Sequence, residues 1–144
     1  MLRRQLHNLT IKPGTQGCVV LSGQFTDPYT GRQITFHRSA ARQVQIDHIY
    51  PLAKAWDLGA AAWPAGRRVD FANDVRLNLL AVDGAANASK GDDDLGNGPG
   101  EWMPLNAAYR CTYVLRYLEV ARAWQLPITA TDRESALAVA PSCK

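Results

Sequence analysis

Three residues of alternating character, Val44-Gln45-Ile46, run straight into Asp47-His48-Ile49-Tyr50-Pro51. A period of two predicts a half-buried strand, and the proline ends it. A strand that finishes in Asp-His puts a carboxylate and an imidazole at one backbone edge, pointing to opposite sides. A second apolar run, Asn78-Leu79-Leu80-Ala81-Val82, reads as a buried strand, and Ala85 to Lys90 reads as the start of a helix. Strand, strand and helix then bring Asn87 back toward Asp47 and His48 as a further oxygen ligand.

That grouping has a definite chemistry. One member of the Asp-His pair can bind a hard cation while the other reaches a water molecule. An imidazole, whose ordinary pKa lies near ~6.5, takes a proton from water. A divalent ion neutralises charge on a scissile phosphate and on its leaving oxygen. Phosphodiester hydrolysis fits this logic. A lone Asp-His pair is commonly no more than a strand end. Pro51 and the later Asn78 and Asn87 are what make the pair a candidate site.

Around this centre the chain reads as follows. Residues 1–9 form a short helix or the tail of a longer one, and residues 17–37 form a β-hairpin turning at Asp27-Pro28-Tyr29-Thr30-Gly31. Leu52 to Ala62 is helical, with Trp56 and Trp63 as anchors, and Pro64 opens another helix through Asn73. Residues 91–100 are a loop whose Asp92-Asp93-Asp94 is solvated; Gly96 and Met103 stand where a calcium loop needs ligands. Residues 106–124 form the longest helix, with Tyr109, Tyr113, Leu115, Tyr117, Leu118 and Ala121 on one broad face. A last helix spans Asp132 to Val139, with Thr131 as its N-cap and Glu134 completing a capping box.

Composition excludes several classes. At 144 residues, 47% apolar and 20% charged, the chain fits one domain that can bury a core without a structural metal. No apolar run approaches a membrane span, and the start, Met1-Leu2-Arg3-Arg4, lacks the apolar stretch of a signal peptide. The net charge of +3 hides an acidic centre, with five Lys/Arg against nine Asp/Glu over residues 47–106, between basic flanks. Arg32, Arg38, Arg42, Arg67, Arg68 and Arg76 are candidates for phosphate contact. His37 reads as a strand-end surface residue and His7 as uninvolved, while Ser22 lacks a nucleophile-elbow setting. Cys18, Cys111 and Cys143 form no CxxC pair, a spacing that favours one disulfide and one thiol left over above a zinc finger.

LSGQFTDPYTG, QIDHIYPLAKAWDLGA, FANDVRLNLLAVDGAANASKGD, EWMP and YRCTYV together resemble the HNH (His-Asn-His) endonuclease superfamily. The resemblance is to its H-x-x-P branch, found in actinobacterial and phage nucleases and related to the GmrSD C-terminal nuclease domain. His48-Ile49-Tyr50-Pro51 carries the signature. The resemblance implies an α+β fold: a ββα-metal (His-Me finger) core at about 43–92, an N-terminal β-hairpin and C-terminal helices, all in one domain over 1–144. It implies His48 as general base, Asp47 and Asn87 as metal ligands, and Asn78 as the residue that holds the His-bearing loop. Lys90 falls where the family has a basic residue near the phosphate. The cofactor implied is one divalent ion, Mg²⁺ first, with Mn²⁺, Ni²⁺ or Zn²⁺ as alternatives.

The partner implied is DNA, cut or nicked by a monomer with little sequence preference unless a partner protein supplies it. A noncatalytic disulfide-bonded module binding nucleic acid or protein, and an RNase, are the competing readings. The name's last His is Asn87 here. Family members usually carry an upstream segment with another Cys, often behind a signal peptide. Folding the last helix back on the long one would bring Cys111 and Cys143 together, and the family pattern leaves Cys18 for that upstream partner. A Cys111–Cys143 bridge with free Cys18 is therefore expected, and with it an oxidising compartment and a secreted parent protein.

Overall fold

The computed structural model describes residues 1–96, 98 and 101–143, and its architecture is α+β. A four-residue helix α1 (Leu2–Gln5) leads into an antiparallel sheet of β1 (His7–Ile11), β2 (Val20–Thr26) and β3 (Gln33–His37), in that order. The β2–β3 hairpin runs in register from Ser22↔His37 to Thr26↔Gln33. Its turn is tied by Asp27, whose carboxylate accepts the Thr30 amide at 2.7 Å and the Thr30 hydroxyl at 2.5 Å. The other Asp27 oxygen accepts the Asp83 amide at 2.9 Å. That bond fastens the hairpin to the centre of the molecule and leaves Tyr29, at the turn, fully buried.

The centre is an antiparallel pair, β4 (Val44–His48) and β5 (Leu79–Asp83), with α2 (Leu52–Asp57) and α3 (Ala65–Ala72) in the connection between them. The next helix, α4 (Gly84–Lys90), follows β5 directly. Leu79 to Val82 are all buried because both faces of β5 are covered, which explains an apolar run rather than an alternation. One face meets the three-stranded sheet through Leu6, Val20, Phe25, Phe36, Val44 and Ala81. The other, through Leu80 and Val82, joins Tyr29, Tyr50, Phe71, Tyr113 and Tyr117 in the larger core. The long helix α5 (Ala107–Trp124) and α6 (Ala130–Val139) complete it. A Cys111–Cys143 disulfide, closing a sequence separation of 32, links α5 to the segment after α6, and Cys18 is exposed and free. Among the described residues no helix is long and apolar enough to cross a membrane.

Several elements differ from the sequence reading. The residues after α1 are strand β1, not helix; its register with β2 is broken twice, which blurs the alternation. The helix expected over 52–62 stops at Asp57, turns through Gly59 at φ +128° and resumes as a 3₁₀ turn, Ala60–Ala62. Trp56 is 53% exposed rather than an anchor, and Leu115 is 57% exposed on α5. Trp63 does pack, stacking on Trp124 with ring centroids 5.9 Å apart. The α6 capping box lies two residues earlier than expected, on Thr129 and Asp132 in place of Thr131 and Glu134. Within the expected loop over 91–100, Asp94–Leu95 (β6) pairs in parallel with Glu101–Trp102 (β7), while Asn97, Pro99 and Gly100 lie outside the described residues.

Candidate active site

Two periodicities meet where α4 covers β4. Gln45 and Asp47 share one face of the strand, being two apart, and Asn87 and Lys90 share one face of the helix, being three apart. The pairs meet rung by rung. Asn87 Nδ2 donates to Gln45 Oε1 at 2.9 Å, and Lys90 Nζ donates to the Asp47 oxygens at 2.8 and 3.0 Å. The helix is seated at its start by Asp83, whose side chain accepts the Ala86 amide at 2.9 Å. Gly84 is required there, since a Cβ would overlap the Arg42 carbonyl oxygen.

The second rung is buried and fully engaged. Asp47 is 5% exposed, Lys90 1% and Tyr29 0%. The Tyr29 hydroxyl donates to Asp47 Oδ2, and Lys90 Nζ makes a third bond, at 2.7 Å, to the His48 carbonyl. Burial, reinforced by the neighbouring Asp47 charge, pushes the Tyr29 phenol well above its ordinary range, so it stays a donor. Burial likewise pulls the Lys90 ammonium below its usual value, and Asp47 opposes that pull. A buried pair of this kind adds little net stability, but removing one partner costs about 3–5 kcal/mol because the other charge is stranded.

His48 sits at the end of β4 with its ring turned to α3. Its Nε2 lies 2.9 Å from the Ala72 carbonyl oxygen, at the last residue of that helix. A carbonyl can only accept, so Nε2 is the donor in this contact, and Nδ1 is the ring nitrogen it leaves unused. The chain just beyond the ring is clamped by Asn78, which is fully buried. Its side chain accepts the Tyr50 amide at 2.9 Å and donates to the Tyr50 carbonyl at 3.3 Å, while its main-chain oxygen accepts the Ile49 amide at 2.9 Å. His48, Asp47 and Asn87 line one open cavity of about 230 Å³ with Pro51, Leu52 and Asp92.

The five residues singled out from sequence are thus brought together, with altered duties for two. Lys90, implied to lie near the phosphate, turns inward, its buried ammonium bonded to Asp47 and the His48 main chain. Asp47, implied as a metal ligand, is held on both oxygens by Lys90 and Tyr29, and a dication there would sit against a buried ammonium. Asn87 keeps Oδ1 as a free acceptor at the cavity, since Nδ2 serves Gln45. Among the described residues no group of three or more His, Cys, Asp or Glu could hold an ion. As arranged, Asp47 does not fit a metal, and Asn87 offers one open oxygen toward the cavity.

Sequence reasoning missed two features, one in this site and one outside it. One is Tyr29, whose only signal was an aromatic in an otherwise polar turn. The other is a buried cluster behind α2, where Lys54 bonds Asp94 and both oxygens of Asp132, the latter at 2.8 and 2.9 Å. Tyr117 donates to the same Asp132 at 3.1 Å. These partners lie 40 and 78 residues from Lys54, beyond any local pattern.

Comparison with known proteins places the site in context. The family model described as "GmrSD restriction endonucleases, C-terminal domain" matches residues 1–138. An "Uncharacterized secreted protein" of Arthroderma benhamiae is 34% identical over 144 residues, covering 99% of this chain. The match spans 65% of that relative's own length. No solved structure matches the chain.

Proposed function

Since the chain belongs to the family of GmrSD restriction endonuclease C-terminal domains, we propose that it hydrolyses phosphodiester bonds of DNA, with β4, β5 and α4 as an HNH-type ββα-metal core and His48 as general base. The observation that carries this reading is the 2.9 Å contact of His48 Nε2 with the Ala72 carbonyl oxygen, beside an open cavity that His48 lines. Nδ1 takes the proton of a water as that water attacks phosphorus. The imidazolium that forms keeps its Nε2–H on the Ala72 carbonyl, and the negative end of α3 favours its charge. Lys90 and Asn78 act behind it. The first holds the His48 carbonyl and the second holds the next two residues, so the ring meets water from one direction.

A divalent ion is general to nuclease families of this kind and supplies charge neutralisation at the phosphate and leaving oxygen. Asn87 is the residue here with an oxygen open to it. Asp47 would first have to leave Lys90. A secreted parent protein is consistent with the disulfide and with the name of the Arthroderma relative.

Incubation with supercoiled plasmid, with and without EDTA and with labelled RNA in competition, tests the reading. Conversion to open circle or linear DNA is expected. No conversion at any metal concentration points to a noncatalytic binding module, and preferential loss of the RNA points to an RNase.

A further inference from the structure

The six arginines that sequence offered for phosphate contact are not equivalent in the structure. Arg67 donates to the Trp124 carbonyl at 2.8 Å, and Arg68 donates to the Trp63 carbonyl. Both are committed to main chain. Arg32 and Arg42 are exposed, and among the described residues neither guanidinium has a hydrogen-bond or ion-pair partner. Both line a single open cleft of about 550 Å³, together with Gln33, Thr35, Gln43 and Asp83. The one carboxylate there, Asp83, accepts the Ala86 amide on one oxygen. The cleft therefore carries two cations against one anion already in use.

Its position gives it meaning. The cleft is bounded by Gln43, just before β4, and by Ala85 at the start of α4. The His48 cavity is bounded by the far end of β4 and by Asn87 on the same helix. Between them lies β4, whose four steps from Val44 to His48 span roughly 13 Å at ~3.3 Å each. That equals about four steps of a nucleic acid strand at ~3.4 Å along the helix axis. Two unpaired guanidiniums this far from a hydrolytic site suit the planar, bidentate recognition of phosphate oxygens.

We propose that the Arg32–Arg42 cleft is a second phosphate-binding site, holding the backbone of the DNA strand several nucleotides from the bond that His48 attacks. The assignment rests on the nuclease reading and adds where the substrate strand lies. It accounts for positioning without sequence readout, because phosphate contacts fix register and carry no base information.

The test compares wild type with an Arg32→Gln/Arg42→Gln double variant. A charge-matched control, Arg122→Gln/Arg133→Gln, removes two exposed arginines on α5 and α6. Binding of a fluorescent 20-base-pair duplex is followed by anisotropy at 50 to 200 mM salt, and hydrolysis of bis(p-nitrophenyl) phosphate is followed in parallel. Each lost phosphate contact lowers the salt slope by about 0.9. Over that fourfold range wild type should lose about tenfold more affinity than the cleft variant. The control should keep the wild-type slope, and all three should hydrolyse the small diester equally, since it is too short to reach the cleft. Equal slopes for wild type and cleft variant, with the small diester still hydrolysed, overturn the cleft alone. Loss of slope in the control as well overturns it too, by making the effect one of net charge. A wild type that hydrolyses neither diester nor DNA removes the nuclease reading itself.

Discussion

Replacing Lys90 with Met keeps the length and apolar stem of the side chain and removes its charge. In the structure that ammonium makes two bonds to Asp47, at 2.8 and 3.0 Å, and one to the His48 carbonyl at 2.7 Å. The variant leaves a carboxylate that is only 5% exposed with a single partner, the Tyr29 hydroxyl. Stranding a buried charge costs about 3–5 kcal/mol, a large part of the ~5–15 kcal/mol that holds a domain together. With a urea slope of ~1–3 kcal/mol/M, the unfolding midpoint should fall by about 2 M. Adding Asp47→Asn removes the stranded charge and keeps a group for Tyr29 to bond. The double variant should therefore recover most of the loss, with a coupling of about 2–3 kcal/mol between the sites. Equilibrium urea unfolding of the four proteins measures this directly. A Lys90→Met protein within about 0.5 kcal/mol of wild type, as an exposed lysine would give, refutes the buried rung.

Three other predictions follow from the same core. All five tyrosines have phenols pushed upward, chiefly by burial, so above pH ~10 the unfolded chain releases protons that the folded one keeps. Each fully buried tyrosine then removes about 1.4 kcal/mol of stability per pH unit. Lys90, whose lowered value works in the opposite sense, is one group against several. Tyrosinate absorbance at alkaline pH should accordingly rise together with loss of near-UV circular dichroism, and a gradual rise in a folded protein would contradict it. Reducing Cys111–Cys143 should lower stability by roughly 3–4 kcal/mol on the chain-entropy model for a closed loop with a separation of 32. Native alkylation should label Cys18 alone; a nonreduced digest linking Cys18 to Cys111 would contradict that pairing. Calorimetry with Mn²⁺ should find Asn87→Ala weakened, because a hard ion loses an oxygen donor, and Asp47→Asn unweakened or tighter. Equal weakening in both would return Asp47 to the ligand set.

Much of the site is legible from local periodicity. A period-two strand ending in Asp47-His48, a buried run at 79–82 and a helix through Asn87 and Lys90 suffice to build the β4–β5–α4 unit. The rungs Gln45–Asn87 and Asp47–Lys90 also follow from period two on the strand and three on the helix, once the helix is laid across it. What sequence could not supply was the burial of Lys90. The buried carboxylate it pairs with is also bonded by Tyr29, which arrives from a turn 18 residues before Asp47. The same limit applies to Asp94, which reads as a solvated loop acid and instead pairs with Lys54 at a separation of 40. Strand β1 was hidden for a different reason. Its polar residues lie mostly outward at a sheet edge and its pairing with β2 slips twice, so no clean alternation marks it.

The central claim is that His48, held by Ala72 through Nε2, removes a proton from water through Nδ1. The most direct measurement is the single-turnover rate of plasmid nicking by His48→Ala, alongside its thermal unfolding curve. The rate should fall at least ~10²-fold below wild type, with DNA affinity retained and the unfolding transition still cooperative. A folded His48→Ala protein that nicks DNA at close to the wild-type rate would contradict it.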